Sequence, residues 1–314
     1  MKKVGIIILI VILISFTIAL CNILAFAIQN KEWNWFMGFR DLSNIRNEEY
    51  RRKEEKVDLT DIEKLKIELN TSDVNVFFTE ESELKVIQYS YKELKENEEF
   101  KVDKSSSNIT IRKKNNKHFN FFYVNNIVFD IYIPKMYEQE LDISVVSGDI
   151  KTNDNLKFKD LKIYSTSGDI EMGDIEVDNI NIETVSGQIE LKKLESDVTK
   201  LKTVSGDISV ESAKGEIEAK SVSGNIEIEK IDGNVELTST SGDIESQDFK
   251  ITGKSMIKTT SGNVNMYINK ESNCQIKAKS TSGNIDFPDG RNVMGQEPYI
   301  ELDVQTTSGN IKLK

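Results

Sequence analysis

The side chains that could do chemistry in this 314-residue chain form a column, not a cluster. Asp149, Asp169, Asp207 and Asp243, with Asn225, Asn263, Asn284, Asn310 and Gln188, each stand two residues after the serine of a Ser-Gly pair. Oxygens stacked in this way suit two chemistries. Calcium takes about 6–8 oxygen ligands, and glycoside hydrolysis uses a pair of carboxylates flanking the scissile bond. The calcium reading lacks the paired-glycine pattern of calcium-binding β-rolls. Hydrolysis asks for a unique cleft with two carboxylates, whereas this column repeats without long cleft-forming loops. Asp and Asn also favour tight turns, because their side chains bond nearby backbone. The column is therefore read first as turn chemistry. His118 is the one histidine, so a histidine metal site or a Ser-His-Asp triad lacks material. Cys21 and Cys274 make no CxxC pair and no disulfide framework. No catalytic residue, cofactor or metal is expected.

The elements that position this column follow from its spacing. The Ser-Gly serines are Ser147, Ser167, Ser186, Ser205, Ser223, Ser241, Ser261, Ser282 and Ser308, spaced by 20, 19, 19, 18, 18, 20, 21 and 26 residues. Ile or Val stands three residues after every serine, and Ser or Thr two residues before it in eight of nine copies, Val145 being the exception. The residues four and six before it are mostly aliphatic, as in Leu161 and Ile163. Positions −6, −4, −2 and 0 share one parity, so an extended strand points them to one face. The apolar residue at +3 has the other parity, and the chain must bend at Ser-Gly to bring it back inside. Glycine permits that bend by positive φ or by close backbone approach. Gly148, Gly168, Gly187, Gly206, Gly224, Gly242, Gly262, Gly283 and Gly309 are thus assigned as repeat corners, with midway glycines such as Gly215 and Gly233 making the opposite corner.

These columns predict an all-β fold, a single-stranded parallel β-solenoid with about 18–20 residues per coil, over residues 141–314. Nine coils at about 4.8 Å each would make a rod of roughly 40–45 Å. Serines and threonines inside the coil would form hydroxyl ladders. A helical repeat would need a 3.6-residue period, and a propeller blade a repeat of about 40 residues. Residues 62–140 carry strand-like runs without the Ser-Gly beat and are read as an N-terminal β region that begins and caps the solenoid. Phe119, Phe121, Phe122 and Tyr123 form an aromatic knot, read first as a plug for the rod's end and otherwise as a site that stacks on sugars or touches the membrane. A proline-containing loop near 286–298 interrupts the last spacing, either projecting or capping.

Before the β region the chain reads differently. Lys2 and Lys3 precede an apolar run from Val4 to Ile28, which as a helix would reach about 37 Å, enough to span a hydrocarbon core of about 30 Å. Residues 1–30 are read as a signal-anchor transmembrane helix, the two lysines holding its start in the cytoplasm and the rest of the chain outside. Ala25-Phe26-Ala27 offers the competing reading, a cleaved signal peptide. Trp33, Trp35, Phe36 and Phe39 follow where a membrane-interface belt would sit, and residues 31–61 continue as a charged stalk. The net charge of −11 argues against nucleic acid as a partner, since phosphates call for a basic surface.

The stretch IYIPKMYEQELDISVVSGDI, followed by repeated TSGDIE, VSGNIE and TTSGNIKL, resembles the bacterial "putative adhesin" β-solenoid family of unknown function, which includes LiaG-like membrane-anchored proteins of Gram-positive bacteria. The resemblance covers roughly residues 62–314. It implies an extracytoplasmic right-handed solenoid, sometimes associated with envelope stress systems, and no catalytic residues. The functional expectation is a non-enzymatic, membrane-anchored surface scaffold that contacts an envelope polymer or a membrane protein. Its alternative is an accessory of an envelope stress-response or signalling system. Cell-membrane localisation with an extracytoplasmic solenoid goes with either.

Overall fold

The structure is a computed structural model that describes residues 48–314, apart from 92, 97, 114–126, 153 and 288–289. The apolar run 1–30, the interface residues Trp33, Trp35, Phe36 and Phe39, and the aromatic knot with His118 lie outside the described residues. Among those described, no helix is long and apolar enough to cross a membrane.

The described chain is all-β apart from a short 3-10 turn, Glu48–Tyr50. Its first part contains β1 (Arg51–Asp58), β2 (Lys64–Thr71), β3 (Asp73–Thr79), β4 (Glu83–Ser90), β5 (Phe100–Lys104), β6 (Asn108–Lys113) and β7 (Ile127–Pro134). The coils follow as β8 (Glu140–Ser147), β9 (Ile150–Thr152), β10 (Leu156–Ser167), β11 (Ile170–Ser186), β12 (Ile189–Ser205), β13 (Ile208–Ser223) and β14 (Ile226–Ser241). The last part holds β15 (Ile244–Ile251), β16 (Ser255–Ser261), β17 (Val264–Ile268), β18 (Cys274–Ser282), β19 (Ile285–Asp286), β20 (Val293–Met294), β21 (Ile300–Ser308) and β22 (Ile311–Leu313).

Strands stop at the serine and resume at the isoleucine, so each Ser-Gly corner costs only two residues. Between corners each coil from β11 to β14 is one long bent strand. Successive coils pair in parallel with like over like: Ser167 on Ser186, Ser186 on Ser205, Ser205 on Ser223, Ser223 on Ser241. Inward positions stack into apolar columns in the same way. Ile170, Ile189, Ile208, Ile226 and Ile244 form one, Ile163, Ile182, Leu201, Ala219 and Leu237 another, all buried. Fully burying one such aliphatic side chain contributes about 1.5–3 kcal/mol before entropy is counted. The midway glycines sit where two backbones touch. A Cβ on Gly215 would lie 1.8 Å from the Ser196 carbonyl oxygen, and one on Gly233 1.9 Å from that of Gly215.

The stack departs from chain order at both ends. At the N-terminal end β2 and β3 lie on β8 and β9, while β6 and β7, later in the chain, lie outside them. At the other end β21 is inserted between β16 and β18, and β22 between β17 and β19. The corner order is therefore Thr71, Ser147 and onward to Ser261, then Ser308, and last Ser282. The coils thus do not stack in chain order. A C-terminal strand with neighbours on both sides has its whole backbone ladder paired, whereas at the rim it would fray.

Two other readings change. Arg51–Asp58, read as part of a stalk, is a strand that pairs antiparallel with β4 and belongs to the same compact unit as the coils. Its charges sit at exposed and half-buried positions, while Val57 packs on the core, a pattern too sparse in apolar residues to stand out. The loop near 286–298 does not simply project, because β20 pairs antiparallel with Cys274 and Gln275. The Asn292 carbonyl accepts from the Ile276 N–H at 2.8 Å, and Asn273 Oδ1 accepts from the Gln296 N–H at 3.0 Å.

The Ser-Gly corner as candidate functional site

Most backbone polar groups of the corner are bonded from coil to coil within the stack. The glycine N–H donates to the serine carbonyl of the next coil, as in Gly187 to Ser205 at 3.1 Å, and the isoleucine N–H to the next Asp/Asn carbonyl, as in Ile208 to Asn225 at 2.9 Å. The N–H between them, on the Asp/Asn residue, is met by a side chain from the preceding coil. Asp73 Oδ1 accepts from Asp149 N–H at 3.0 Å, Asp149 from Asp169 at 3.0 Å and Asp169 from Gln188 at 2.9 Å. Asp207 then accepts from Asn225 at 2.7 Å, Asn225 from Asp243 at 2.9 Å and Asp243 from Asn263 at 2.7 Å. Asn263 accepts from Asn310 at 3.0 Å and Asn310 from Asn284 at 2.9 Å, which confirms the reversed order of the last two coils. The ladder breaks once: Gln188, one methylene longer, does not cap Asp207. Each rung gives a partner to an N–H that the backbone ladder leaves unpaired, so this column has a structural reason to carry Asp or Asn.

Glycine and the hydroxyl at −2 form one device. A Cβ on Gly206 would fall 1.9 Å from the Gly187 oxygen, and on Gly224 1.9 Å from that of Gly206. Each corner carbonyl thus points into the space where the next residue would carry its side chain. No N–H of that next coil reaches the carbonyl, and in most corners the −2 hydroxyl donates to it instead. Ser239 Oγ meets Gly224 O at 3.1 Å, Thr259 Oγ1 meets Gly242 O at 3.0 Å, and Ser280 Oγ meets Gly309 O at 3.0 Å. Ser165 and Thr184 hold the same position with unpartnered hydroxyls. Some corner glycines take left-handed φ, Gly148 at 138° and Gly206 at 153°, yet Gly187 and Gly224 do not. The close approach is the common cause.

All nine assigned corner glycines, from Gly148 through Gly168, Gly187, Gly206, Gly224, Gly242, Gly262 and Gly309 to Gly283, occupy this position. A tenth corner was hidden in the sequence. Thr71-Ser72-Asp73-Val74 aligns with Ser147-Gly148-Asp149-Ile150 and puts a buried serine in the glycine place. Its missing glycine concealed it, although the Asp-Val pair was a signal. One expectation is overturned. The serine at position 0 is not inside: Ser167, Ser186, Ser205 and Ser223 are exposed, because the bend begins at that residue and not after it.

The outer side of the corner is a ridge of β-branched residues. Val146, Val185, Val204 and Val222 are 45–49% exposed, with Thr166, Thr240, Thr260, Thr307 and Thr281 continuing the line. The wall before the ridge is laced with ion pairs, Lys162 to Glu140 at 2.8 Å and Lys220 to Glu218 and Glu236 at 2.7 and 2.8 Å. The wall after it carries the acidic line Glu171, Glu190, Glu227 and Glu245. Among the described residues no three His, Cys, Asp or Glu side chains gather as a metal cage. Asp73, half-buried at its end of the ladder, has its carboxyl raised by that burial, against the lowering effect of the Asp149 N–H, and raised further by the Asp149 charge. Burial also pushes the Cys274 thiol up to about 11, so at neutral pH it stays protonated.

Comparison with known proteins returns one family and several distant folds. The chain is similar to a putative cell adhesion protein from Clostridium sporogenes ATCC 15579, at 18% identity over 83% of this chain and 99% of that one, TM-score 0.29. It is similar also to putative adhesins from Bacteroides fragilis NCTC 9343 and Parabacteroides distasonis ATCC 8503. Each is 11% identical over 83% of this chain and 96% of that one, TM-score 0.44. No curated protein matches. The model of the Toastrack family, DUF4097, matches residues 62–246 and again 220–314. Together these two matches span residues 62–314, and the chain belongs to the Toastrack family.

Proposed function

We propose that this protein is a non-enzymatic scaffold of the cell envelope, anchored by its N-terminal apolar segment, with the Ser-Gly ridge as its contact surface. The exposed valine column carries the reading. Elsewhere in the coils nearly all aliphatic side chains are inside, yet four valines stand in line on the outer corner. A rod whose backbone groups are bonded coil to coil holds that line rigid, so a partner meets a preformed surface and loses less freedom on binding. The ladder also supports a structural role for this column, since one oxygen of most corner side chains accepts from a neighbouring N–H. The partner is an envelope polymer or a membrane protein, and the LiaG-like accessory role belongs to the second case.

Photo-crosslinking of the full-length chain in producing cells tests this, with probes at Val185, Val204 and Val222 and controls at Lys193 and Lys214. Adducts confined to the ridge and containing wall polymer support the scaffold as an adhesin. Ridge adducts to a single membrane sensor or transporter support the accessory role. Equal labelling of ridge and control positions overturns the ridge. Release of the chain from membranes at high pH without detergent overturns the anchor.

A further inference from the structure

The last coil of the stack ends in an incomplete corner. Because β21 and β22 slip inside, Ser282-Gly283-Asn284-Ile285 forms the rim. Asn284 N–H is bonded to Asn310 Oδ1, but among the described residues no further corner follows to receive from the Gly283 and Ile285 N–H groups or to donate to Asn284 Oδ1. Ile285 is 37% exposed, while its counterparts Ile226, Ile244 and Ile311 are at most 1%. Ala278 and Phe287 beside it are only half-buried. The β20 segment covers Cys274 to Ile276 and leaves Lys277 to Asp286 open.

We propose that this open corner is a self-association surface, closed by the same corner of a second copy related by a two-fold axis. An axis through the corner lays β18 of one copy antiparallel on β19 of the other. Inward residues must then face inward residues, which leaves two registers. Ala278 opposite Ile285 sets Lys277 against Asp286, and Ser280 opposite Ile285 sets Lys279 against Asp286. Either way a lysine meets Asp286, twice in the symmetric pair. The alternative of β18 on β18, centred near Ala278, would oppose Lys277 and Lys279 across the axis, and like charges directly opposite are unfavourable. Edge lysines commonly blunt a sheet edge, and here they also select its partner. The other end of the stack is covered by β1, β4 and β5, so the contact cannot propagate into a filament.

Sedimentation of the full-length chain in mild detergent should show a dimer. Asp286→Lys should weaken it by about tenfold or more, and Asp286→Lys combined with Lys277→Asp and Lys279→Asp should restore it. In a Cys21→Ser background, Ser282→Cys, one residue from its mate across the axis in either register, should crosslink between copies on oxidation, and Lys56→Cys at the capped end should not. A monomer at micromolar concentration overturns the proposal. So does a dimer indifferent to charge reversal, because it would assemble elsewhere, for example through the N-terminal segment. Circular dichroism of each variant separates lost association from lost folding.

Discussion

The two ends of the stack solve one problem differently. At the N-terminal end the outermost coil, β6 and β7, is sealed by antiparallel strands: β5 on β6, β4 on β7, and β1 on β4. Bulky side chains fill the space beneath. Phe100 and Phe129 are fully buried with ring centroids 5.9 Å apart, and Lys53 lies 4.6 Å above the Phe100 ring while donating to its carbonyl at 2.7 Å. Gln88, fully buried, serves as a clip: its Oε1 accepts from Phe100 N–H and its Nε2 donates to Glu98 O. At the C-terminal end, among the described residues, the two-residue β20 and the neighbouring Asn292 carbonyl cover just the start of the rim strand, and Ile285 is left in view. Antiparallel strands suit a cap, because they end a parallel ladder without demanding another coil.

The contrast between a continuous interior and unequal ends sets the expected effects of substitution. The largest belongs to the mid-stack glycines. Gly224→Ala should destabilise by about 4 kcal/mol or more, since its Cβ meets a backbone carbonyl that cannot turn aside. Gly206→Ala should cost a similar amount. If denaturant unfolding finds Gly224→Ala mild and Gly206→Ala severe, positive φ and not close approach would be the cause. Next is the apolar column: Ile226→Ala should cost about 2–5 kcal/mol and Ile285→Ala less than about 1 kcal/mol in the monomer, measured the same way. Equal costs would mean that the rim is as well packed as the middle.

Smaller effects test the polar ladder. Asp207→Ala should cost about 0.5–1 kcal/mol by removing the bond to the exposed Asn225 N–H, and Gln188→Asn should gain a similar amount by bridging the broken rung to Asp207. No gain from Gln188→Asn would show that geometry, not side-chain length, breaks the rung. The smallest concerns Asp73 at the first rung. Its folded pKa is raised, so the folded state holds a proton that the unfolded state has released. That contribution to stability is present at low pH and is lost as pH rises from the ordinary carboxylate value through the raised one. Asp73→Asn keeps the acceptor for Asp149 and should raise the melting temperature at pH 7 more than at pH 3. The reverse ordering would break the assignment.

Much of the architecture is legible in the residues alone. The Ser-Gly-Asp/Asn-Ile columns announce parallel coils, because stacking in register subjects each position to the same neighbours, and the same residue answers them. The corner glycines are legible for this reason. Less legible are features that depend on a single pairing. Thr71-Ser72-Asp73 lacks the glycine, Arg51–Asp58 looks like solvated charge, and the 26-residue spacing before Ser308 hints at a detour without showing where it leads. The outward turn of the position 0 serines escapes parity counting, which assumes an extended strand up to the glycine.

By itself the sequence determined the repeat unit: two-residue corners, inward aliphatic columns, and a hydroxyl at −2 wherever a glycine carbonyl needs a donor. Those are local demands, repeated from one coil to the next, and each copy of the motif records them. Only the tertiary structure decided the order of the coils at the two ends, which rim is sealed, and which isoleucine is left at the surface. All coils offer nearly the same edge to their neighbours, so pairing energy alone barely distinguishes one order from another. The choice falls to the connecting segments and to the strands that cap them, whose pairings join residues far apart in the chain.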